Sequence, residues 1–284
     1  YIRSEKRYSE HTCEAYHRDL QQFFTFLDKE TYPSAVTDIP KDAVRHWLVF
    51  LRSEQFESKT LLRKLSTLKS FFRFLRAQGI RTDNPLTGII APKTPKPLPV
   101  FLPERHTDRL FSAWPVPVNH EQHTRLLILE ILYQTGMRRA ELIQLRLDSI
   151  RVEEGRIKVL GKGNKERLIP VQAALIQQIL AYLPGREALN PTHTFLLVLK
   201  NGGALYPRYV YRVVHEALQR YTNAAKKSPH VLRHTFATQL LNQGAPVNAV
   251  KELLGHASLA STQLYTHTTI AQLKEVHRKA HPKA

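Results

Sequence analysis

The chain has 284 residues, of which 42% are hydrophobic, so it can form one large or two modest domains with substantial cores. Its formal net charge of +18 exceeds what solubility requires and predicts a polyanionic partner, although a solvated lysine-rich surface gives the same composition. The single Cys13 excludes an intramolecular disulfide and is typical of a reducing cytoplasm. We find no run of 18 apolar residues and no signal-peptide pattern, so we expect a cytoplasmic protein with no membrane partner.

Residues 1–90 are predicted to form helices only. The first helix is expected to begin after Ser9 and to run to about Asp28, with Cys13 on its apolar face as a small core residue. The second begins near Pro40, which suits a first helical turn. The third repeats apolar residues at steps of four and three and ends before Gly79. We therefore predict an N-terminal helical bundle.

The third helix also has a cationic arc, largely separate from its apolar face. The arc consists of Lys59, Arg63, Lys69, Arg73 and Arg76. A helix with one apolar and one cationic face can pack on its domain and lie along DNA. We predict that these five residues bind DNA, with an ordinary solvated face as the alternative.

Five prolines in APKTPKPLPVFLPE, residues 91–104, oppose a helix and predict an extended linker. The remainder, residues 105–284, is predicted to be a second domain of mixed character. A buried helix ended by Gly136 precedes a β-hairpin on either side of the GKGNK turn. The later helices are predicted at Gln172–Leu183, Tyr206–Tyr221, Pro229–Asn242, Val247–Leu254 and Ile270–Ala280. The fold class is therefore mainly α with a small β-sheet, α+β.

Four segments of the second domain present cations, imidazoles and a phenol in a fixed order: TGMRRAEL, LGKGNKERL, HVLRHTFAT and LLGHASLASTQLYTH. Their functional side chains are Arg138, Lys162, His230, Arg233, His256 and Tyr265. With no carboxylate pair and no Cys/His metal cluster, this set suits a metal-free attack on a phosphodiester. A tyrosine would be the nucleophile, and the cations would neutralise the charge that develops on the phosphate. GKGNK lacks the spacing of a P-loop and by itself is an ordinary hairpin turn.

The four segments and their order resemble the tyrosine recombinase (phage integrase) family, most like its bacterial Xer group, over nearly the whole chain. The resemblance implies an N-terminal core DNA-binding domain of SAM-like type at residues 1–90 and a catalytic domain at 105–284. It also implies that a C-terminal helix, residues 270–280, is exchanged between neighbouring subunits of a tetramer on two DNA sites. Neither a cofactor nor a metal ion is expected, because a covalent protein–DNA bond retains the energy of the phosphodiester.

The same resemblance assigns roles to the site residues. Tyr265 would attack the scissile phosphate and form a 3′-phosphotyrosine. The groups that would assist it are Arg138 and Arg233 on the non-bridging oxygens, His256 as a hydrogen-bond donor, His230 in proton transfer and Lys162 as the general acid. Lys165 is the alternative general acid, and Glu141 would orient Arg138 by an ion pair or act as an ordinary helix N-terminal acid. Arg139 departs from the small or apolar residue usual in the family, and His234 is predicted to be a buried structural histidine.

The predicted function is site-specific recombination of double-stranded DNA with inverted-repeat sites, through a Holliday junction. Its partner would be itself or a paralogous recombinase, in a bacterial nucleoid, with chromosome partition at cell division as the expected role. The alternatives are an integrase of a phage or mobile element, a type IB topoisomerase-like enzyme, and a DNA-binding protein without catalysis. The complete set of reactive side chains opposes the last of these.

Overall fold

The computed structural model describes residues 1–6, 8, 10–92, 100–161 and 165–255. The chain divides into two compact units, Tyr1–Pro97 and Leu98–Ala284. The predicted cap at Ser9 and the predicted helix at residues 270–280 lie outside the described residues. Within the described ranges, every helix is too short or too polar to cross a lipid bilayer.

The described part of the first unit is a bundle of helices. They are α1 (Glu10–Lys29), α2 (Lys41–Ser53) and α3 (Ser58–Ala77). Trp47 lies at the centre of the bundle and is fully buried, and the ring of Phe23 meets it edge to face with centroids 4.9 Å apart. Cys13 is a buried free thiol on α1, so it serves as a core residue.

A buried polar cluster lies between α1 and α3, where the apolar periodicity gave no sign of one. The Asp19 carboxylate is 1% exposed and accepts hydrogen bonds from Arg63, from Lys64 Nζ at 2.9 Å and from Thr67 Oγ1 at 2.9 Å. Burial by itself would raise the pKa of Asp19, but these hydrogen bonds outweigh it and the pKa is lowered. Arg63, which belongs to the predicted cationic arc, therefore has an internal partner.

The second unit has a helical body with a small sheet. Its described helices are α4 (Glu104–Ser112), α5 (His120–Thr135), α6 (Arg139–Ile143), α7 (Ala173–Glu187), α8 (Pro207–Tyr221), α9 (Pro229–Asn242) and α10 (Val247–Leu254). The antiparallel strands are β1 (Ile150–Arg151), β2 (Arg156–Leu160) and β3 (Glu166–Pro170). The fold class predicted from the sequence, mainly α with a small sheet, is confirmed.

Helix α5 is the centre of this unit and packs against α7, α8 and α9. Its residues from Leu127 to Thr135 are all buried, and the buried Gln134 Nε2 donates to Glu130 Oε2 at 2.8 Å within the same stretch. Asn119 begins the helix, and its side chain accepts a hydrogen bond from the backbone of Gln122 at 2.9 Å. Gly136 ends it.

The packed part of the second unit begins inside the segment that was predicted to be a linker. Leu102 is 1% exposed, and its backbone N–H donates to Thr235 Oγ1 at 2.8 Å. Helix α4 then starts at Glu104. Residues 100–103 are not helical, as the prolines predicted, and a non-helical residue such as Leu102 can be buried when its backbone finds a partner.

Candidate active site

Two helices of the second unit end at glycines in the left-handed conformation. Gly136 ends α5 with φ +59°, and Gly255 ends α10 with φ +62°. This backbone region favours glycine, because a Cβ crowds the following carbonyl. A Cβ at Gly136 would also overlap the ring of Phe236. The chain can therefore turn sharply after α5 and enter the short α6.

Three arginines from three different elements bind the last carbonyl oxygens of α10. Arg167 Nε donates to Leu253 at 2.8 Å, Arg233 Nη2 to Leu254 at 2.7 Å, and Arg138 Nη2 to Gly255 at 3.2 Å. The last carbonyls of a helix have no intrahelical partner and carry partial negative charge, so guanidinium groups are suitable partners. We call Arg138, Arg167 and Arg233 the arginine cluster.

Arg233 is the most enclosed member of the cluster, at 7% exposed. Its Nη1 donates to the carbonyl of Gly136 at 2.6 Å, so this one guanidinium joins the ends of α5 and α10. Burial lowers the pKa of Arg233 to about 10, with the neighbouring charges of Arg138 and Arg167 acting in the same direction and Glu141 opposing them. The side chain remains a cation at neutral pH.

Glu141 is the carboxylate of this site. It receives Arg138 Nη1 at 2.9 Å, and the two Nη atoms of Arg167 at 3.1 and 2.7 Å. One of its oxygens also accepts the backbone N–H of Arg138 at 2.7 Å, which caps the start of α6. Burial would raise the pKa of Glu141, but the hydrogen bonds from Arg167 and Arg138 outweigh it and the pKa is lowered. Sequence reasoning considered Arg138 as its partner and missed Arg167.

His230 lies in the first turn of α9, exposed to solvent and three residues before Arg233. Partial desolvation lowers its pKa, and so do the nearby His234, Arg139, Arg233 and Arg138. This direction favours the neutral imidazole, which is the form that can accept a proton. The prediction that His234 is buried was wrong, because it lies on the exposed side of α9. Arg139 is exposed as well.

Lys165, the alternative general acid, lies just before strand β3. The N–H of Gly161 donates to the carbonyl of Lys165 at 2.8 Å, which closes the base of the turn, and Lys165 is exposed. Lys162, His256 and Tyr265 lie outside the described residues. The structure thus brings together Arg138, Arg233, His230 and Glu141 of the predicted set.

In the described part of the site, one carboxylate stands among three guanidinium groups, so the arrangement favours an anion. Guanidinium forks match the oxygens of a phosphate better than a point charge does. Among the described residues, no group of three or more His, Cys, Asp and Glu side chains is placed to hold a metal ion. The described part of the site therefore combines three guanidinium groups with a histidine whose pKa is lowered.

Comparison with known proteins identifies the class. Residues 101–272 match the phage integrase family, and residues 1–79 match the N-terminal SAM-like domain of phage integrases. The chain is 39% identical to the tyrosine recombinase XerC of Staphylococcus haemolyticus, over all of its own length and 95% of the relative's. It is also 39% identical to XerC of Oceanobacillus iheyensis, over all of its length and 94% of the relative's.

A solved structure supports the same assignment. The crystal structure of the XerH site-specific recombinase bound to difH substrate, a pre-cleavage complex, aligns with a TM-score of 0.69 and 25% identity. The alignment covers 90% of this chain and 75% of that one. The chain therefore belongs to the phage integrase family, and within it to the Xer-type tyrosine recombinases, which are site-specific recombination enzymes.

Proposed function

We propose that the protein exchanges strands between two double-stranded DNA sites through a covalent bond to Tyr265. The phenol oxygen attacks the scissile phosphorus, the bond to the 5′ oxygen breaks, and a 5′ hydroxyl leaves. The 5′ hydroxyl of a partner strand then attacks the phosphotyrosine, which restores the phosphodiester, releases the phenol and produces a Holliday junction. Bond energy is conserved in each exchange, so the reaction needs no ATP.

The observation that carries this proposal is the meeting of Arg138 and Arg233 beside His230. The two arginines are separated in sequence, yet both reach the end of α10 and bind adjacent carbonyls there. A guanidinium has five N–H donors, so carbonyl partners leave other donors for the non-bridging phosphate oxygens. Charge that develops on the phosphate in the transition state is stabilised by cations fixed in advance.

Two residues transfer protons in this proposal, and a third stabilises the phosphate by a hydrogen bond. The neutral His230 assists removal of the proton from the phenol, and His256 donates a hydrogen bond to the phosphate. Lys162 protonates the leaving 5′ oxygen, with Lys165 as the alternative.

The proposal assigns DNA binding to both parts of the chain. The N-terminal domain, residues 1–90, contacts DNA through the cations of α3, of which Lys59, Lys69, Arg73 and Arg76 are exposed. A linker within residues 91–104 leads to the catalytic domain, and the net charge of +18 suits a long phosphate backbone. The XerH relative was solved on its difH substrate. We extend this DNA partner to the present chain, with inverted-repeat sites.

We further propose that two sites are brought together by four subunits, of this chain alone or with a paralogous recombinase. Each subunit donates the segment at residues 270–280 to its neighbour, since a closed ring requires every subunit to give and to receive once. The biological role is chromosome partition at cell division, in the cytoplasm and on the bacterial nucleoid.

Covalent trapping tests the proposed chemistry. The probe is a duplex selected from random DNA by the protein, nicked beside the cleavage position so that the cut fragment diffuses away. The wild-type protein should leave a protein–DNA adduct on a denaturing gel, and Tyr265→Phe should bind equally well but form none. An adduct with Tyr265→Phe would assign the nucleophile elsewhere. If the wild-type protein binds the probe but forms no adduct, it is a non-catalytic DNA-binding protein. If it rejoins only the original strand, it is a topoisomerase-like enzyme.

A modified leaving group tests the general acid. Lys162→Ala should slow cleavage, and a probe with sulfur in place of the 5′ oxygen should restore most of the rate, because a thiolate leaves without a proton. Lys165→Ala is the matched control in the same turn, and it should cleave the oxygen probe normally. If cleavage is instead slow in Lys165→Ala and is restored by the sulfur probe, Lys165 is the general acid.

A further inference from the structure

Arg167 joins more elements than its place on a short strand would suggest. It lies on β3, and its side chain is 10% exposed. Its Nη atoms form a two-pronged ion pair with Glu141 of α6, at 3.1 and 2.7 Å, and its Nε donates to Leu253 of α10 at 2.8 Å. One guanidinium therefore binds two elements besides its own strand.

Each of those elements carries a part of the proposed reaction. Glu141 holds the guanidinium of Arg138 at 2.9 Å and caps the backbone N–H of the same residue at 2.7 Å. Helix α10 leads directly into the segment that begins with His256 and contains Tyr265. Strand β3 begins at Glu166, four positions after Lys162 in the sequence.

The strength of these interactions separates Arg167 from the other ion pair of the same hairpin. Lys158 and Glu166 pair at 3.2 Å with side chains that are 33% and 57% exposed, so solvent screens the pair. The Arg167–Glu141 pair has side-chain exposures of only 10% and 6% and uses both prongs of the fork. A bidentate pair shielded from water fixes the position of both partners.

The space between the Arg167 guanidinium and the end of α10 is also limited. A Cβ at Gly255 would lie 3.2 Å from Arg167 Nη1, a tight contact, so the end of α10 passes close to this guanidinium. A shift of the guanidinium by a fraction of an ångström would therefore be transmitted to Glu141 and to the end of α10.

We propose that Arg167 is a positioning residue for strand cleavage, which sets Arg138 through Glu141 and sets the start of the nucleophile-bearing segment through Leu253. It does not touch the phosphate. The inference rests on the proposed function, since it concerns the placement of groups that this function assigns. Misplacing a reacting group by about 1 Å can cost on the order of 100-fold in rate, which is the effect expected here.

The test compares Arg167→Met, Arg167→Lys, Glu141→Gln and the double variant Glu141→Gln/Arg167→Met. Three quantities are measured: the dissociation constant for the intact selected site, the rate of adduct formation on the nicked site at saturation, and the thermal unfolding midpoint. Arg156→Met is the matched control, because Arg156 lies on the neighbouring strand β2 and pairs with Glu154 at 3.0 Å.

Arg167→Met should bind DNA with unchanged affinity and form the adduct about 100-fold more slowly at saturation. Arg167→Lys should recover part of that loss, because an ammonium can still pair with Glu141 but cannot reach Leu253 at the same time. The double variant should be no slower than the slower single variant, since both changes interrupt one path to Arg138. Arg156→Met should cleave at the wild-type rate. If Arg167→Met does not fold, Arg167→Lys provides the test by itself, and it should bind DNA with normal affinity but cleave more slowly than the wild type.

Wild-type cleavage by Arg167→Met would overturn the inference and leave the proposed function intact. The same holds if the losses of the two single variants multiply, because the two residues then act independently. It also holds if the rate falls only in proportion to affinity or stability, because that result describes a purely structural ion pair. A wild-type protein that binds its site and forms no adduct would overturn the proposed function, and the inference with it.

Discussion

Arg233 Nη1 donates to the carbonyl oxygen of Gly136 at 2.6 Å, although 97 positions separate the two residues in the chain. The bond fixes a buried guanidinium at the end of α5, two residues before Arg138. Both proposed phosphate-binding arginines therefore depend on the backbone at Gly136. That backbone has φ +59° and faces the ring of Phe236.

Gly136→Ala should damage both stability and cleavage. The added methyl group suffers left-handed strain and overlaps Phe236, so we expect the free energy of unfolding to fall by roughly 2–4 kcal/mol. Gly244→Ala is the matched control: its φ is +83°, but no described atom lies within 4 Å of an added Cβ. Left-handed strain alone should lower the free energy of unfolding of Gly244→Ala by about 1–2 kcal/mol. Urea unfolding followed by circular dichroism measures both, and equal losses would contradict the role of Phe236.

The pH profile of cleavage should reveal the environment of His230. Its pKa is held below the usual 6.5 by desolvation and by neighbouring charges, of which His234 is the largest. If neutral His230 assists the phenol, the rate should be constant around pH 7 and should fall only below pH 6.5. His234→Asn removes a like charge and should move this acid limb to higher pH. An acid limb that stays in place would show that His230 does not control it.

The contribution of His230 to the free energy of unfolding should also fall at acid pH, as the cleavage rate does. The folded pKa lies below the unfolded one, so protonation costs more in the folded protein, and the contribution of His230 to stability falls as the solution becomes more acidic. The measurement is the thermal unfolding midpoint of the wild type and of His230→Asn, at pH values above and below the pKa of His230. The asparagine variant should lose less stability on acidification.

Asp19→Asn should destabilise the first unit. The change leaves Lys64, which is 5% exposed, without its carboxylate, and we expect a loss on the order of 3 kcal/mol in the free energy of unfolding. Asp42→Asn is the control, since Asp42 pairs with Arg45 at the surface and should cost less than about 1 kcal/mol. Because the folded pKa of Asp19 is lowered, its contribution is present above pH 3.8 and is lost as pH falls through the folded pKa. Equal losses in the two variants would mean that burial of Asp19 has no energetic effect.

The cations of α3 should determine how binding depends on salt. Replacing Lys59, Lys69 and Arg73 by glutamate should reduce the slope of log affinity against log salt by about one for each phosphate that is no longer neutralised. Arg63 is excluded from this set because its replacement would also break the pair with Asp19. Arg45→Glu on α2 is the control, since Asp42 already neutralises Arg45 locally. If the triple variant keeps the wild-type slope of log affinity against log salt, these cations of α3 face solvent and do not contact DNA.

The sequence predicted the elements whose signals are local. Helices α9 and α10 span Pro229–Asn242 and Val247–Leu254, as the sequence predicted. Helix α4 and strand β1 were missed, because α4 directly follows the proline-rich segment and two residues of strand are too few to display a periodicity.

Long-range pairing was the part of the site that could not be predicted. Arg167 and Asp19 both pair with residues on other elements, at separations of 26 and 44 positions, and no pattern along the chain records such a partner. Helical spacing also placed His234 in the core, yet it shares the exposed side of α9 with His230. A period of 3.6 defines two faces but does not say which one a neighbouring element will cover.

The arginine cluster gives the proposed nucleophile a fixed point of attachment. Ten peptide units connect Gly255 to Tyr265, and a chain of that length extends at most about 35 Å. With Leu253, Leu254 and Gly255 each bound by a guanidinium, one end of this tether is stationary relative to the groups that receive the phosphate. A reactive group on a short tether has a high effective concentration within its reach. Arg138 and Arg233, which we propose to bind the phosphate, would therefore also restrict how far the phenol can travel from it.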